Sequence, residues 1–315
     1  MNSKQLRYFL KAADKGSITG AAKDLDIAQP AISQQIASLE HELSVQLFER
    51  DFRGVRLTAS GEKFYLRAKS IIHQMGMAKS EIIDTESNPS GRISIGMAQA
   101  VCNVLAIPLT QAIQENYPNV ELTLHYGTPD FLDQCLSNGQ IDLAITYENA
   151  VLNKNFSSTP LIREHIYLVV GIQQRAELYQ QLLKQDTIEF QQLAEYEIIL
   201  PHQNDPLVQM LNRYETQTGI RIWNKQNFGL LMTNLRYVTD GLGLMILPSS
   251  AVFHLEKYKQ VKTIAITQPE LSRDVLLVNN SKRPGSIAMQ VVSKTILRLT
   301  KEAHSLGNWR GKLLF

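Results

Sequence analysis

The sequence has few cysteines and no long apolar segment. Cys102 and Cys135 do not form a CxxC pair, and two cysteines cannot build a disulfide framework, so we expect a reducing, cytoplasmic environment. No apolar run approaches the ~20 residues that a membrane-spanning helix requires, so we expect no membrane partner. The residues that follow Met1 also lack the apolar core of a signal peptide.

Motifs of enzymes and metal sites are missing as well. The seven histidines form no HExxH or comparable ligand pair, and the sequence has neither a GxSxG elbow nor a GxxxxGKS/T loop. Gly241-Leu242-Gly243 resembles part of a dinucleotide fingerprint, but the third glycine is absent and the position is typical of a helix end. We therefore predict no metal, no cofactor and no enzymatic activity.

A strong charge of one sign is also lacking, since 32 Lys and Arg residues stand against 30 Asp and Glu residues and leave a net charge of +2. Averaged over the chain, this value argues against a nucleic-acid partner. The distribution of the charges reverses that conclusion. Between Arg50 and Lys69 lie six basic and two acidic residues, a local charge of +4, and a compact basic stretch is typical of contact with phosphates.

Helical patterns fill the first part of the chain. Apolar residues at i, i+3, i+4 and i+7 from Leu6 to Ala13 predict a first helix, which Gly16 ends. Ser17 is suited to cap a second helix, and a third is expected to begin at Pro30, a residue suited to the first helical position. Because only a few residues separate the second helix from the third, the sequence predicts a helix-turn-helix.

A β-hairpin and a long helix are predicted next. Two short extended pieces flank the turn 51–54, which contains a glycine. From Thr58 onward, apolar residues spaced by four and three form a heptad seam, namely Phe64, Ala68, Ile71, Met75, Ala78 and Ile82. This helix either packs on its own domain or forms a dimerising coiled coil, and three heptads favour the coiled coil. The breaker cluster 87–91 marks the clearest domain boundary.

Beyond Arg92, strand patterns alternate with helix patterns to the end of the chain. Such a βαβ series predicts a parallel or mixed sheet covered by helices. Because the segment is long for one unit of this kind, two α/β lobes are favoured over one.

The N-terminal residues carry a specific family resemblance. The stretches 17–25, 29–40, 47–50 and 53–61 resemble, motif by motif, the LysR-type transcriptional regulators. Ser44 and Ser60 depart from the residues usual in that family, Gly and Ala, without touching the DNA-facing positions. The stretches 92–96, 138–144 and 238–248 resemble the family more loosely, and Asn138-Gly139-Gln140 with Thr146-Tyr147 leans weakly toward its nitrogen-assimilation-control branch.

The resemblance implies an α+β multi-domain chain. We expect a winged helix-turn-helix DNA-binding domain over 1–58, a linker and dimerisation helix over 59–87 and an effector-binding domain over 88–315. The effector domain would resemble a type 2 periplasmic binding protein, with lobe I over about 91–162 and 267–315 and lobe II over about 163–266.

The resemblance and the chemistry of the side chains together predict the DNA contacts. The first turns of the third helix would meet base edges, the start of the second helix would meet phosphates, and the hairpin would reach the minor groove and backbone. Pro30 also suits a plain helix start, and the alternative for the arginines is a merely solvated surface. The predicted contacts are Ser17, Thr19, Gln29, Pro30, Ser33, Gln34, Arg50, Arg53 and Arg56.

In proteins of this family the inducer lies between the lobes, near strand ends that open onto helix N-termini, where backbone N–H groups converge. The corresponding effector-binding residues here are Gln99, Ala100, Thr128, Pro201, His202 and Gln203. Thr128 is equally suited to be a plain N-cap. The lack of an arginine beside Pro201 argues against a strongly acidic inducer, and a small carboxylate or an amino-acid-like metabolite is expected.

The function implied is that of a bacterial transcriptional regulator. We expect a homodimer or homotetramer that binds double-stranded promoter DNA of dyad symmetry, contacts RNA polymerase and changes its assembly when an effector binds. One alternative is a regulator of the same fold that acts through oligomer geometry without an inducer. A solute-binding protein with an N-terminal adaptor and an enzyme are the remaining alternatives, and the hairpin and the missing catalytic motifs disfavour them.

Overall fold

The computed structural model describes residues 1–51, 54–83, 88–148, 155–174, 177–201, 205–225, 229–281 and 285–315. The N-terminal unit contains three short helices, a two-stranded hairpin and one long helix. These are α1 (Ser3–Lys15), α2 (Ile18–Leu25), α3 (Gln29–Leu43), β1 (Phe48–Asp51), β2 (Gly54–Leu57) and α4 (Ala59–Ile83).

The ends of the first helices follow from their capping residues. Gly16 ends α1 in the left-handed region at φ 59°, and its N–H group donates to carbonyls of the last turn. The Ser17 hydroxyl oxygen accepts a hydrogen bond from Gly20 N at 3.1 Å and so begins α2. Both caps agree with the sequence prediction, and α3 begins at Gln29, one residue before the predicted start at Pro30.

An aromatic cluster joins the hairpin and α4 to the three helices. The ring of Phe9 in α1 lies 5.1 Å from the ring of Phe48 in β1 and 5.1 Å from the ring of Phe64 in α4. Ala68 and Ile71 pack into the same core. The first half of the heptad seam is therefore used within its own domain, whereas Met75, farther along α4, is exposed.

Close backbone contacts fix the hairpin. Val55 N donates to Gly16 O at 2.9 Å, and a Cβ on Gly54 would lie 2.2 Å from the same oxygen. The buried carboxylate of Glu40 accepts hydrogen bonds from Leu47 N at 2.7 Å and Phe48 N at 3.0 Å. Only glycine fits at position 54, and the hairpin is held directly against the C-terminal end of α1.

The rest of the chain forms a mixed sheet covered by helices. Its strands are β3 (Gly91–Met97), β4 (Val120–Tyr126), β5 (Leu143–Tyr147), β6 (Phe156–Gly171), β7 (Thr187–Glu189), β8 (Glu197–Ile199), β9 (Trp223–Lys225), β10 (Leu244–Pro248), β11 (Val261–Thr267), β12 (Ser272–Asn280) and β13 (Gly311–Leu313). Its helices are α5 (Gln99–Asn116), α6 (Pro129–Asn138), α7 (Glu177–Leu182), α8 (Pro206–Thr218), α9 (Leu231–Thr239), α10 (Ser249–Lys257) and α11 (Ile287–Ser305).

The strand order divides this sheet into two lobes. The strands follow the order β4-β3-β5-β12-β6-β10-β8-β9, with β3 parallel to β4 and to β5. The long strand β6 pairs with β12 up to His165 and with β10 from Ile166 onward. Two separate apolar cores lie on the two sides of that change of partner. The predicted two-lobed α/β architecture is confirmed.

A buried ion pair lies where β6 and β12 cross between the lobes. Glu164 of β6 is fully buried, and its carboxylate accepts from Arg273 Nε at 2.7 Å, Ser250 Oγ at 3.0 Å and Trp309 Nε1 at 2.8 Å. The Arg273 guanidinium also stacks on the Tyr147 ring at 3.6 Å. Burial raises the pKa of Tyr147. One carboxylate therefore joins β12, α10 and the segment between α11 and β13.

We expect Glu164→Gln to destabilise the effector domain by about 3–5 kcal/mol, because the buried guanidinium of Arg273 would lose its counter-charge. Urea unfolding followed by the fluorescence of the two tryptophans, Trp223 and the buried Trp309, measures the loss. The control is Glu121→Gln, which removes an exposed ion pair with Arg92 and is expected to leave the midpoint unchanged. Equal midpoints for the two variants would contradict the prediction.

Candidate functional site

The outward face of α3 is polar and its inward face is apolar. Ile32, Ile36 and Leu39 are fully buried in the helical core. Gln29, Pro30 and Gln34 are exposed in the first two turns, and Ser33 is half-buried. The packing of the apolar face therefore fixes which side chains the helix can offer to a ligand.

The polar groups at the start of α2 differ in their availability. The Ser17 oxygen already accepts from Gly20 N, but its hydroxyl proton can still be donated to an acceptor such as a phosphate. Thr19 is exposed. Both residues lie at a helix N-terminus, where a negative charge is favoured.

The predicted arginines fall into three situations. Arg50 Nη1 donates to Ser33 Oγ at 3.2 Å, so this side chain lies against α3. Arg56 on β2 is exposed. Arg53 lies outside the described residues.

Two further basic side chains of the 50–69 stretch have partners within the protein. Arg67 Nη1 donates to Asn138 Oδ1 at 2.7 Å, and Lys69 Nζ lies 4.6 Å from the centroid of the Tyr65 ring. The basic side chains that give the local charge of +4 therefore do not all face one surface. The sequence alone does not show which of them have partners within the protein.

Two of the predicted effector segments meet at one edge of lobe I. β3 and β4 are parallel, and Met97 pairs in register with Tyr126. The residues that follow these strands, Gln99 and Thr128, are both exposed and lie at the same edge. Thr128 occupies the N-cap position of α6 without making a side-chain capping hydrogen bond.

Two of the other predicted effector residues, Ala100 and Pro201, lie in or against lobe II. Ala100, in the first turn of α5, is buried in the apolar core of lobe II. Pro201 follows β8 of lobe II and is half-buried. His202 and Gln203 lie outside the described residues.

Arg273 is a candidate ligand group that sequence reasoning missed. It is 9% exposed, yet in the described part of the chain neither of its Nη groups donates a hydrogen bond. It lines a cavity of about 330 Å³ together with Tyr147, Ser272 and Met210. An arginine on a strand far from the predicted segments carries no local motif, so only the folded structure reveals it.

The two cysteines are not poised for thiolate chemistry. Burial raises the pKa of the Cys102 thiol to about 11, and burial also raises the pKa of the Cys135 thiol. Both cysteines are free, and at neutral pH both are in the unreactive thiol form.

Neither a metal-binding cluster nor a membrane span is present in the described residues. Across the described ranges, no three His, Cys, Asp or Glu side chains gather in a way that could hold a metal ion. In that same part of the chain no helix has both the length and the apolar character to cross a membrane.

Comparisons with known protein families match nearly the whole chain. Residues 3–62 match the family described as bacterial regulatory helix-turn-helix protein, lysR family. Residues 86–300 match the LysR substrate binding domain.

Curated relatives match over most of their lengths. The nitrogen assimilation regulatory protein nac of Escherichia coli (strain K12) is 31% identical over 281 residues, which cover 88% of each chain. The transcriptional dual regulator GltC of Bacillus subtilis (strain 168) is 30% identical over 283 residues, which cover 90% of this chain and 92% of GltC.

Solved structures support the same architecture. Full-length CbnR complexed with its target DNA aligns with a TM-score of 0.70 at 19% identity, over 95% of this chain and 100% of that one. A full-length variant of OxyR from Pseudomonas aeruginosa aligns with a TM-score of 0.68 at 21% identity, over 94% of this chain and 98% of that one. Domain matches, relatives and fold all agree, and the chain belongs to the LysR family of DNA-binding transcriptional regulators, which are not enzymes.

Proposed function

We propose that this regulator reads promoter DNA with α3 and responds to a small molecule held between the lobes of its effector domain. The observation that carries the first part is the exposed polar face of α3, opposite a fully buried apolar face. A helix seated in this way can enter the major groove with its first turns. The protein would act in the cytoplasm and contact RNA polymerase at the promoter.

Each side chain of the interface has a matching partner on DNA. Gln29 can make paired hydrogen bonds to adenine, and Pro30 can contact a thymine methyl group. Gln34 and Ser33 can donate to bases or phosphates, and Arg50 positions Ser33 through its hydrogen bond. Thr19, Ser17 and Arg56 would contact phosphates, while Arg53 would enter the minor groove from the hairpin.

We propose that the protein assembles as a homodimer, and as a tetramer through two dimers. A dyad operator requires two copies of α3 related by twofold symmetry. Large apolar side chains stay exposed on α4, at Leu66 and Met75, and on two edge strands of the sheet. Those strands carry Tyr126 on β4, 76% exposed, and Trp223 on β9, 69% exposed. Pairing between copies would cover these groups.

The proposed effector is a small carboxylate or an amino-acid-like metabolite. An arginine with two unengaged Nη groups fits a carboxylate, which such a fork binds bidentately. Arg273 supplies the positive charge that the sequence around Pro201 lacks. The Thr128 hydroxyl, at the edge of lobe I, makes no capping bond. Arg273, with unused N–H groups beside a cavity, favours an inducible regulator over one that acts through oligomer geometry alone.

We expect Gln29→Ala to lower the affinity for the specific operator by about 1–3 kcal/mol, because one base contact is lost. Affinity for random DNA is expected to stay unchanged. The operator is first selected by the wild-type protein from random duplexes, and footprinting and filter binding then compare the variants. Gln46→Ala is the control, since Gln46 is exposed outside α3. Unchanged footprints for Gln29→Ala would refute the role of α3.

Arg56→Ala tests the phosphate contact of the hairpin. Loss of one phosphate contact should reduce the slope of log affinity against log salt concentration by about one. The ratio of specific to random affinity should change little, because phosphates carry no sequence information. Filter binding across a salt series measures both quantities, and a slope equal to that of the wild type would assign Arg56 to the solvated surface.

The effector proposal is tested by thermal-shift measurements with acetate, succinate and L-glutamate. A ligand that binds only the folded protein raises its Tm according to RT ln(1 + [L]/Kd). We expect the shift to shrink in Arg273→Lys, which keeps the charge beside Glu164, and in Thr128→Val. Arg298→Lys, on an exposed helix surface, should behave as the wild type. If none of the three compounds shifts the wild type, the proposed effector class is wrong.

A further inference from the structure

A cavity of about 830 Å³, called the interdomain cavity below, lies between the DNA-binding unit and lobe I. One face of α1 and one face of α4 line it on one side, and β3, β4 and α6 line it on the other. It shares no residue with the cavity beside Arg273. Cavities that hold small ligands measure about 300–1,000 Å³, so the interdomain cavity has the size of a ligand site.

Apolar side chains from both units form much of the wall of the interdomain cavity. They are Leu10, Leu66, Ile72, Phe131, Cys135 and Ile141. Phe131 is 49% exposed, although a large apolar side chain is stabilised when it is removed from water. The apolar part of a ligand would cover this ring, and the wall therefore favours a ligand with an apolar body.

Basic groups outnumber acidic groups on the same wall. The basic residues are Arg7, Lys69, His73, Arg92 and His125, and the acidic residues are Asp14 and Glu121. Both carboxylates already have partners, since Asp14 accepts a hydrogen bond from the Tyr65 hydroxyl and Glu121 is paired with Arg92. In the described part of the chain, Arg7, Lys69 and His125 form no ion pair with a carboxylate. The excess charge of the wall therefore favours an anion.

Lys69 and His125 lie close enough for their charges to interact. Burial lowers the pKa of His125, and the positive charges of Lys69 and His73 lower it further. His73 faces a carboxylate of its own, because its Nε2 atom lies 2.7 Å from Asp142 Oδ1. A neutral imidazole can donate one N–H group and an ammonium group can donate three. A carboxylate between Lys69 and His125 would thus receive hydrogen bonds as well as a counter-charge.

We propose that the interdomain cavity is a second ligand site and that it takes an amphipathic monocarboxylate. The carboxylate binds Lys69 and His125, and the apolar body lies against Leu10, Ile72 and Phe131. Charge-assisted hydrogen bonds and the burial of apolar area act together on such a ligand. Its apolar body distinguishes it from the small carboxylates proposed for the cleft between the lobes.

Octanoate is the probe, and isothermal titration calorimetry on the full-length protein measures its Kd. Acetate carries the same charge without the apolar chain, and 1-octanol carries the chain without the charge. We expect octanoate to bind more than about a hundredfold tighter than acetate, because each buried CH₂ group strengthens binding about fourfold. We expect it to bind about tenfold tighter than 1-octanol, because only the carboxylate accepts a charge-assisted hydrogen bond.

Two variants test the two parts of the site. Lys69→Met should weaken octanoate binding about tenfold and leave 1-octanol binding unchanged, a difference that a general structural defect would not produce. Phe131→Ala should weaken the binding of both compounds alike. The matched control is Lys294→Met, on the exposed surface of α11, which should bind both compounds as the wild type does. Urea unfolding verifies that each variant is folded.

Arg273→Lys separates this site from the cleft between the lobes. Octanoate affinity should be unchanged in this variant, because Arg273 does not line the interdomain cavity. The site is rejected if octanoate does not bind the wild type, or if Lys69→Met binds it as tightly as the wild type does. Loss of octanoate binding in Arg273→Lys would also reject the site and would assign the ligand to the cleft. Absence of operator binding would instead reject the regulatory function, and the titrations would still decide whether this site exists.

Discussion

The two lobes of the effector domain are joined through one buried carboxylate. Glu164 lies on the strand that leaves lobe I for lobe II, and it accepts hydrogen bonds from a guanidinium, a hydroxyl and an indole N–H group. A carboxylate without partners would be very costly at this depth. The position of β12, of α10 and of the C-terminal segment that contains Trp309 is therefore set by the same charge. Because Arg273 is held there, its remaining N–H groups face the cavity beside the crossing strands.

The long helix α4 belongs to two environments. Its first turns complete the aromatic core around Phe9, and they cannot leave it without exposing apolar surface. Its opposite face makes polar contacts with lobe I at Asn138 and Asp142. The helix is therefore held by apolar packing on the DNA-binding unit and by polar contacts on lobe I.

Much of the N-terminal structure could be predicted from the sequence because its signals are local. Gly16 and Ser17 end and begin helices through their own backbone and hydroxyl groups, and the family resemblance is concentrated in the same residues. The heptad seam does not by itself distinguish packing within the domain from a coiled coil, because the spacing of apolar residues does not show which surface covers Phe64. That surface comes from α1 and β1, far away in the sequence.

The effector domain shows the limit of the same approach. Alternating patterns were sufficient to predict two α/β lobes, but Glu164 and Arg273 lie 109 residues apart and form no motif. The pairing of His73 with Asp142 also joins segments that no local rule relates. Long-range charge pairs depend on topology, and topology is the part of the fold that periodicity does not determine. The candidate ligand groups were therefore found only in part from the sequence.

The contact between Gly54 and Gly16 has a consequence for how this protein can change its target. Two backbones touch there without any side chain between them, so the hairpin cannot be tilted relative to the helices by ordinary substitutions. A new operator preference would then arise from exchanging side chains on a fixed platform, one base position at a time. During evolution, the orientation of the hairpin on the helices would therefore be retained, while the side chains that contact the bases could change.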